Sequence, residues 1–264
     1  MYTSADRQKL ADTICKFVQQ TPEFEGLLQI GSGAVGYTDI YSDIDLMAGI
    51  LGRKNVCSAD EKLSSFFAEL GAVWIDHRMW SDFVLGLSVY FENGLSVDFS
   101  YMPTKEIALR SPYFKILFSK SASFEQRVYE QSIYLVEKAK QYGIDNSIQH
   151  SFFYALRKCE IALLRRDFIY ADMALSEARQ CLLQIEVVKE HKKLHQFKAF
   201  HTLDGDFLKE LEYTYPASRN TEGLSRAKEC LLDQYQNVVK QCNFLEFEEA
   251  QLKILKRFQE EIVP

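Results

Sequence analysis

Asp43-Ile44-Asp45 opens an apolar run that continues to Leu51, and Asp98 stands inside a second such run, Leu95-Ser96-Val97-Asp98-Phe99. Side chains alternate along an extended chain, so Asp43 and Asp45 share one face and Ile44 takes the other. Two neighbouring carboxylates repel each other unless a cation lies between them. An all-oxygen donor set of this kind suits a hard divalent ion, typically Mg²⁺. By the same alternation Val97 and Phe99 face away from Asp98. If the two runs are neighbours in one sheet, three carboxylates converge on a metal pair. Such a pair can activate an attacking hydroxyl and steady a leaving pyrophosphate.

The residues just before the acidic pair bear on phosphate. Gly31-Ser32-Gly33-Ala34-Val35-Gly36 matches G-x-G-x-x-G, the pattern of a dinucleotide-binding turn. That pattern needs a following helix and an acidic residue about 20 positions on. Here the next strand arrives within about ten residues, and positions 50–56 hold no acid. A P-loop is excluded because no Gly-Lys-Ser/Thr follows the glycines. What remains is a strand, a Gly-Ser turn and the acidic strand. Glycine allows close approach to the backbone, so Gly31 and Ser32 can offer N–H groups and a hydroxyl to a triphosphate.

The elements that must position these residues fall into two halves. Leu10, Ile14, Phe17 and Val18 make one apolar face of a first helix, with Ser4 as its expected N-cap. Leu27–Ile30 and Ile44–Leu51 read as strands, and Ser58–Leu70 as an amphipathic helix closed by Gly71. Val84–Phe91 and Leu95–Tyr101 read as a hairpin turning at Asn93-Gly94. Beyond Pro103 the strand signals stop. Residues 128–142, 148–165, 170–190, 224–242 and 247–262 carry helical patterns. The expected fold is α+β: a small mixed sheet domain over 1–118, followed by an α-helical bundle over 119–264.

A strand, Gly-Ser, about ten residues and then Asp-apolar-Asp, with a third acid on a later strand, resembles the polymerase-β-like nucleotidyltransferase superfamily. The resemblance implies that Asp43, Asp45 and Asp98 hold Mg²⁺ and that Asp98 helps to deprotonate the acceptor. It implies phosphate contacts from Gly31, Ser32 and Ser42. A sheet domain followed by a bundle is similar to the bacterial nucleotidyltransferases that modify aminoglycosides or lincosamides. From that likeness Lys198, in Gln196–Leu203, is a candidate to reach the triphosphate. The implied reaction moves a nucleoside monophosphate, AMP from ATP, to a hydroxyl of a small molecule. A protein or RNA acceptor, or a nucleotide sensor that keeps the carboxylates, are the alternative readings.

Composition agrees with a small acceptor. Residues 1–118 carry 15 acidic and 10 basic side chains, a poor match for duplex nucleic acid, which asks for a basic stripe. The chain shows neither a secretory signal nor an apolar run of membrane-spanning length, so a cytoplasmic protein is expected. The six cysteines form no CxxC pair and read as reduced, packed thiols. His191 and His195 share a face if their stretch is helical, without the Glu of an HExxH site. Trp74, Trp80, Tyr90 and Tyr101 could stack on a base or sugar, although aromatic residues near strands are more often core. Glu160, Asp167, Asp172 and Glu177 could meet a cationic acceptor, although single acids on a bundle are more often surface charges. The Arg-x4–6-His spacing of helical ribonuclease toxins does not occur.

Overall fold

The computed structural model describes residues 2–37, 40–139, 144, 147–192 and 199–245. By its contacts the chain divides into two compact units, Met1–Lys140 and Gln141–Pro264.

In the first unit α1 (Ser4–Gln20) is capped by Thr3, not by Ser4 as the sequence pattern suggests. Thr3 and Asp6 close a capping box, in which each side chain satisfies the other's backbone N–H. Then follow β1 (Phe24–Gln29), the one-turn α2 (Gly31–Val35), β2 (Ile44–Ile50), α3 (Val56–Glu69), β3 (Ala72–Ser81), β4 (Val84–Phe91), β5 (Ser96–Pro103), β6 (Lys115–Ser119) and α4 (Ala122–Ala139).

The six strands form one mixed sheet in the order β3-β4-β5-β2-β1-β6. β2 and β5 run parallel, and the other four neighbouring pairs are antiparallel. Two of these strands escaped the sequence pattern. β3 lies at the sheet edge and buries none of its side chains fully, so its apolar alternation is faint. β6 is five residues long and follows Pro103, beyond which no strand was expected.

Alternation divides the sheet cleanly. Leu27, Leu46, Val97, Phe99 and Tyr101 pack with Ile14 and Val18 of α1 and Leu63 and Phe67 of α3. Leu28, Met47 and Met102 point the other way and meet Phe124 and Val128 of α4. The helix over 122–139 therefore belongs with the sheet rather than with the bundle, which moves the division from the expected 118/119 to residue 140.

The second unit packs α5 (Ser147–Leu164), α6 (Phe168–Lys189), α7 (Gly205–Glu212) and α8 (Thr221–Lys240) around one apolar core. α7 was not anticipated, and the helical pattern at 247–262 lies outside the described residues. No helix among the described residues is long and apolar enough to cross a membrane.

Candidate active site

The parallel pairing of β2 with β5 sets Asp45 directly opposite Asp98. Both lie on the face that carries Met47 and Met102, opposite the α1/α3 core. The antiparallel neighbours extend the row, since Asp98 faces Ser88 of β4 and Ser88 faces Asp76 of β3. Ser88 Oγ donates to Asp98 Oδ1 at 2.5 Å, and Arg78 Nη1 stands 4.0 Å from the same oxygen. Arg78 Nε is 3.6 Å from Asp76 Oδ2. Asp43 lies just ahead of β2, where Ser96 Oγ of β5 donates to its Oδ1 at 2.5 Å. The expected strand adjacency is therefore present, and it places three carboxylates on one open face.

The turn before them is built around Asp45. Gly31 sits at φ +62°, and a Cβ there would lie 2.1 Å from Asp45 Oδ2. Only a glycine lets the backbone of this turn approach the carboxylate so closely. Tyr37 and Ser42 are both held from α1. Arg7, 3% exposed, donates from Nη1 to the Ser42 carbonyl at 3.1 Å and lies 3.5 Å from the centroid of the Tyr37 ring. Gln29 Nε2 donates to the Tyr37 hydroxyl at 2.9 Å. Burial pushes the Tyr37 phenol up from its usual range, Asp45 and Asp43 push the same way, and Gln29 and Arg7 oppose them. The ring thus stays neutral beside the carboxylates.

Other residues singled out in the sequence separate. Ser32 is half-buried in the turn, and Ser42 contributes its carbonyl to Arg7. Lys198 and His195 lie outside the described residues. α6 ends at Lys189, and His191 follows at φ 56°, so the helix that would align it with His195 does not run through it. Tyr101 is core, its hydroxyl bonded to Asp60, whereas Trp74 and Trp80 are exposed and not packed inside. In the bundle Glu160 pairs with Lys228 in the interior, Asp167 caps α6, Asp172 meets Arg219 and Arg179, and Glu177 meets Lys158.

Arg7, Gln29, Tyr37, Asp76, Arg78, Ser88 and Ser96 were missed. Ser96 stood two residues from Asp98 on the same face and could have been found by alternation. Arg7 and Tyr37 reach the site only through tertiary packing.

The donor set fits a hard divalent cation and the phosphates that it would carry. It is all oxygen and on one face, and the glycine turn lies against one of its members. Among the described residues no three metal-ligating side chains yet enclose a common point. Asp98 and Asp43 are instead hydrogen-bonded to serines, each of which a ligand could displace.

Comparison with solved structures finds an aminoglycoside 6-adenyltransferase from Bacillus subtilis, 13% identical, covering 98% of both chains at a TM-score of 0.42. It also finds a nucleotidyltransferase-like protein from Exiguobacterium sibiricum 255-15, 13% identical, covering 98% of this chain and 89% of that one at a TM-score of 0.36. No curated protein matches. The family model described as streptomycin adenylyltransferase matches residues 5–244, so the chain belongs to that family and is an adenylyltransferase.

Proposed function

We propose that this enzyme transfers AMP from ATP to a hydroxyl of a small acceptor, an aminoglycoside-type antibiotic, with Mg²⁺ held by Asp43, Asp45 and Asp98. The observation that carries the reading is the register of Asp45 against Asp98, with the Gly31 turn resting on Asp45. When bound, the metal supplies charge neutralisation on the phosphates and acidifies the acceptor hydroxyl.

The chain does the rest by position. The N–H groups and hydroxyl of the Gly31-Ser32 turn hold the triphosphate beside Asp45. Asp98 takes the proton of the acceptor hydroxyl, and Ser88 holds that carboxylate in place. As the hydroxyl oxygen bonds to the α-phosphorus, the bond to pyrophosphate breaks on the opposite side. The acidic balance of residues 1–118 favours a cationic acceptor.

The test is pyrophosphate release from ATP and Mg²⁺ across a panel of aminoglycosides that includes streptomycin. Release that requires an acceptor and vanishes in Asp45→Asn, with an unchanged melting temperature, is the expected result. Near wild-type turnover in Asp45→Asn would sink the assignment.

A further inference from the structure

The face that carries the carboxylates continues onto the β3–β4 hairpin, where it opens at Trp74 and Tyr90. Ser96, which donates to Asp43, lies opposite Tyr90, and Tyr90 lies opposite Trp74. The Trp74 and Tyr90 rings stack, with centroids 5.2 Å apart and planes 21° apart. Trp74 is 61% exposed and Tyr90 37%. One step along the strands lies the row Asp76–Ser88–Asp98–Asp45.

The sheet order fixes which substrate this surface meets. The Gly31 turn follows β1, which flanks β2 on one side, while β5, β4 and β3 extend from the other. In an in-line displacement the attacking and leaving oxygens stand on opposite sides of phosphorus. With the leaving pyrophosphate on the β1 side, the attacking hydroxyl arrives from the β5 side, over the hairpin.

We propose that Trp74 and Tyr90 form the acceptor subsite, a shelf on which a saturated polyhydroxylated ring, cyclitol or sugar, lies by its C–H face. This inference rests on the transferase reading above. Two strand spacings separate Tyr90 from Asp43, about 10 Å, which a six-membered ring with one substituent spans. Asp76, beside the shelf, suits an ammonium or guanidinium substituent on that ring. Cross-strand stacking also stabilises the hairpin whatever binds there, and the experiment separates the two roles.

Both tryptophans of the chain, Trp74 and Trp80, lie on β3. Trp80→Phe therefore leaves Trp74 as the single indole. Titration of that variant with streptomycin, or with whichever panel member wild type turns over, is expected to change its emission, whereas ATP with Mg²⁺ alone leaves it unchanged. In the otherwise wild-type enzyme, Trp74→Ala is expected to raise the acceptor KM about tenfold, from the loss of one stacking contact. The KM for ATP stays constant, and Trp74→Phe restores much of the loss. An unchanged acceptor KM, a raised ATP KM, or an altered oligomeric mass as the main effect would overturn the subsite while the transferase reading stands. Absence of acceptor-dependent turnover in wild type would overturn both.

Discussion

At position 31 the chain tolerates no side chain, for two separate reasons. The backbone is left-handed, and a Cβ would strike the Asp45 carboxylate. Gly31→Ala is expected to cost about 1–2 kcal/mol of stability from the backbone alone. Turnover should fall further than that implies, because the turn must retreat from the Asp45 carboxylate. Thermal melts beside pyrophosphate release will show whether the two losses part company. The Gly31-Ser32 turn was readable as a place of close backbone approach, but not the carboxylate it leans on, because Asp45 reaches it through the β1/β2 pairing. Arg7 shows the limit more sharply. It sits among polar residues at the start of a helix, and nothing in the local pattern says that its guanidinium covers Tyr37 and holds Ser42. Arg7→Met should slow turnover with a smaller change in the ATP KM, because it loosens the segment that positions Asp43 rather than a group touching the nucleotide. An unaltered kcat would remove Arg7 from that role.

The hairpin shows how much one residue of register decides. Asn93-Gly94 announced a turn, and read as a two-residue loop it would pair Ser88 with Phe99. The observed loop holds three residues, Glu92-Asn93-Gly94, with Gly94 at φ +89° and Phe91 N–H donating to the Leu95 carbonyl. That extra residue sets Ser88 against Asp98 on the open face, whereas the shorter loop would have placed it against the core. Gly94→Ala is expected to destabilise the protein by about 1–2 kcal/mol through the same left-handed backbone, measurable by denaturant unfolding. β1, β2, β4 and β5 were legible because one or both faces are buried and the apolar runs are dense. β3 and β6 were not: one is an exposed edge and the other is short. Trp74 lies on the strand that was not foreseen and Tyr90 on one that was, so their pairing across β3 and β4 was not legible.

Across the whole molecule, ionisable groups in the bundle interior tie stability to pH. Glu160 and Lys228 form a buried pair, and removal of one partner strands the other charge. Glu160→Ala is expected to cost about 3–5 kcal/mol, larger than any single surface change. Glu186 is fully buried, and although Lys189 stands 2.8 Å away, burial raises its carboxyl above the ordinary value of 4.5. The folded chain therefore keeps this proton where the unfolded chain has released it. Its contribution to stability is present in full below 4.5 and fades as pH rises through the higher folded value. Glu186→Gln should exceed wild type in melting temperature at neutral pH, and the gap should narrow as pH falls towards 4.5. A gap that stays constant with pH would show that this carboxyl titrates alike in the folded and unfolded chains. The division at residue 140 was hidden for a related reason: α4 reads as one helix among several, and only its contacts with Leu28 and Met47 assign it to the sheet.

The parallel pairing of β2 with β5 also has a kinetic side. Asp45 and Asp98 come from strands separated along the chain by α3 and the entire β3–β4 hairpin. Local pieces such as that hairpin form within microseconds, whereas a parallel pair must wait for the closure of a long loop. The three acids are therefore strangers in any half-folded chain, and nucleotide affinity is among the last properties that refolding restores. Recovery of ATP binding should lag the return of helical circular dichroism after dilution from denaturant, which makes catalytic competence a readout of finished folding.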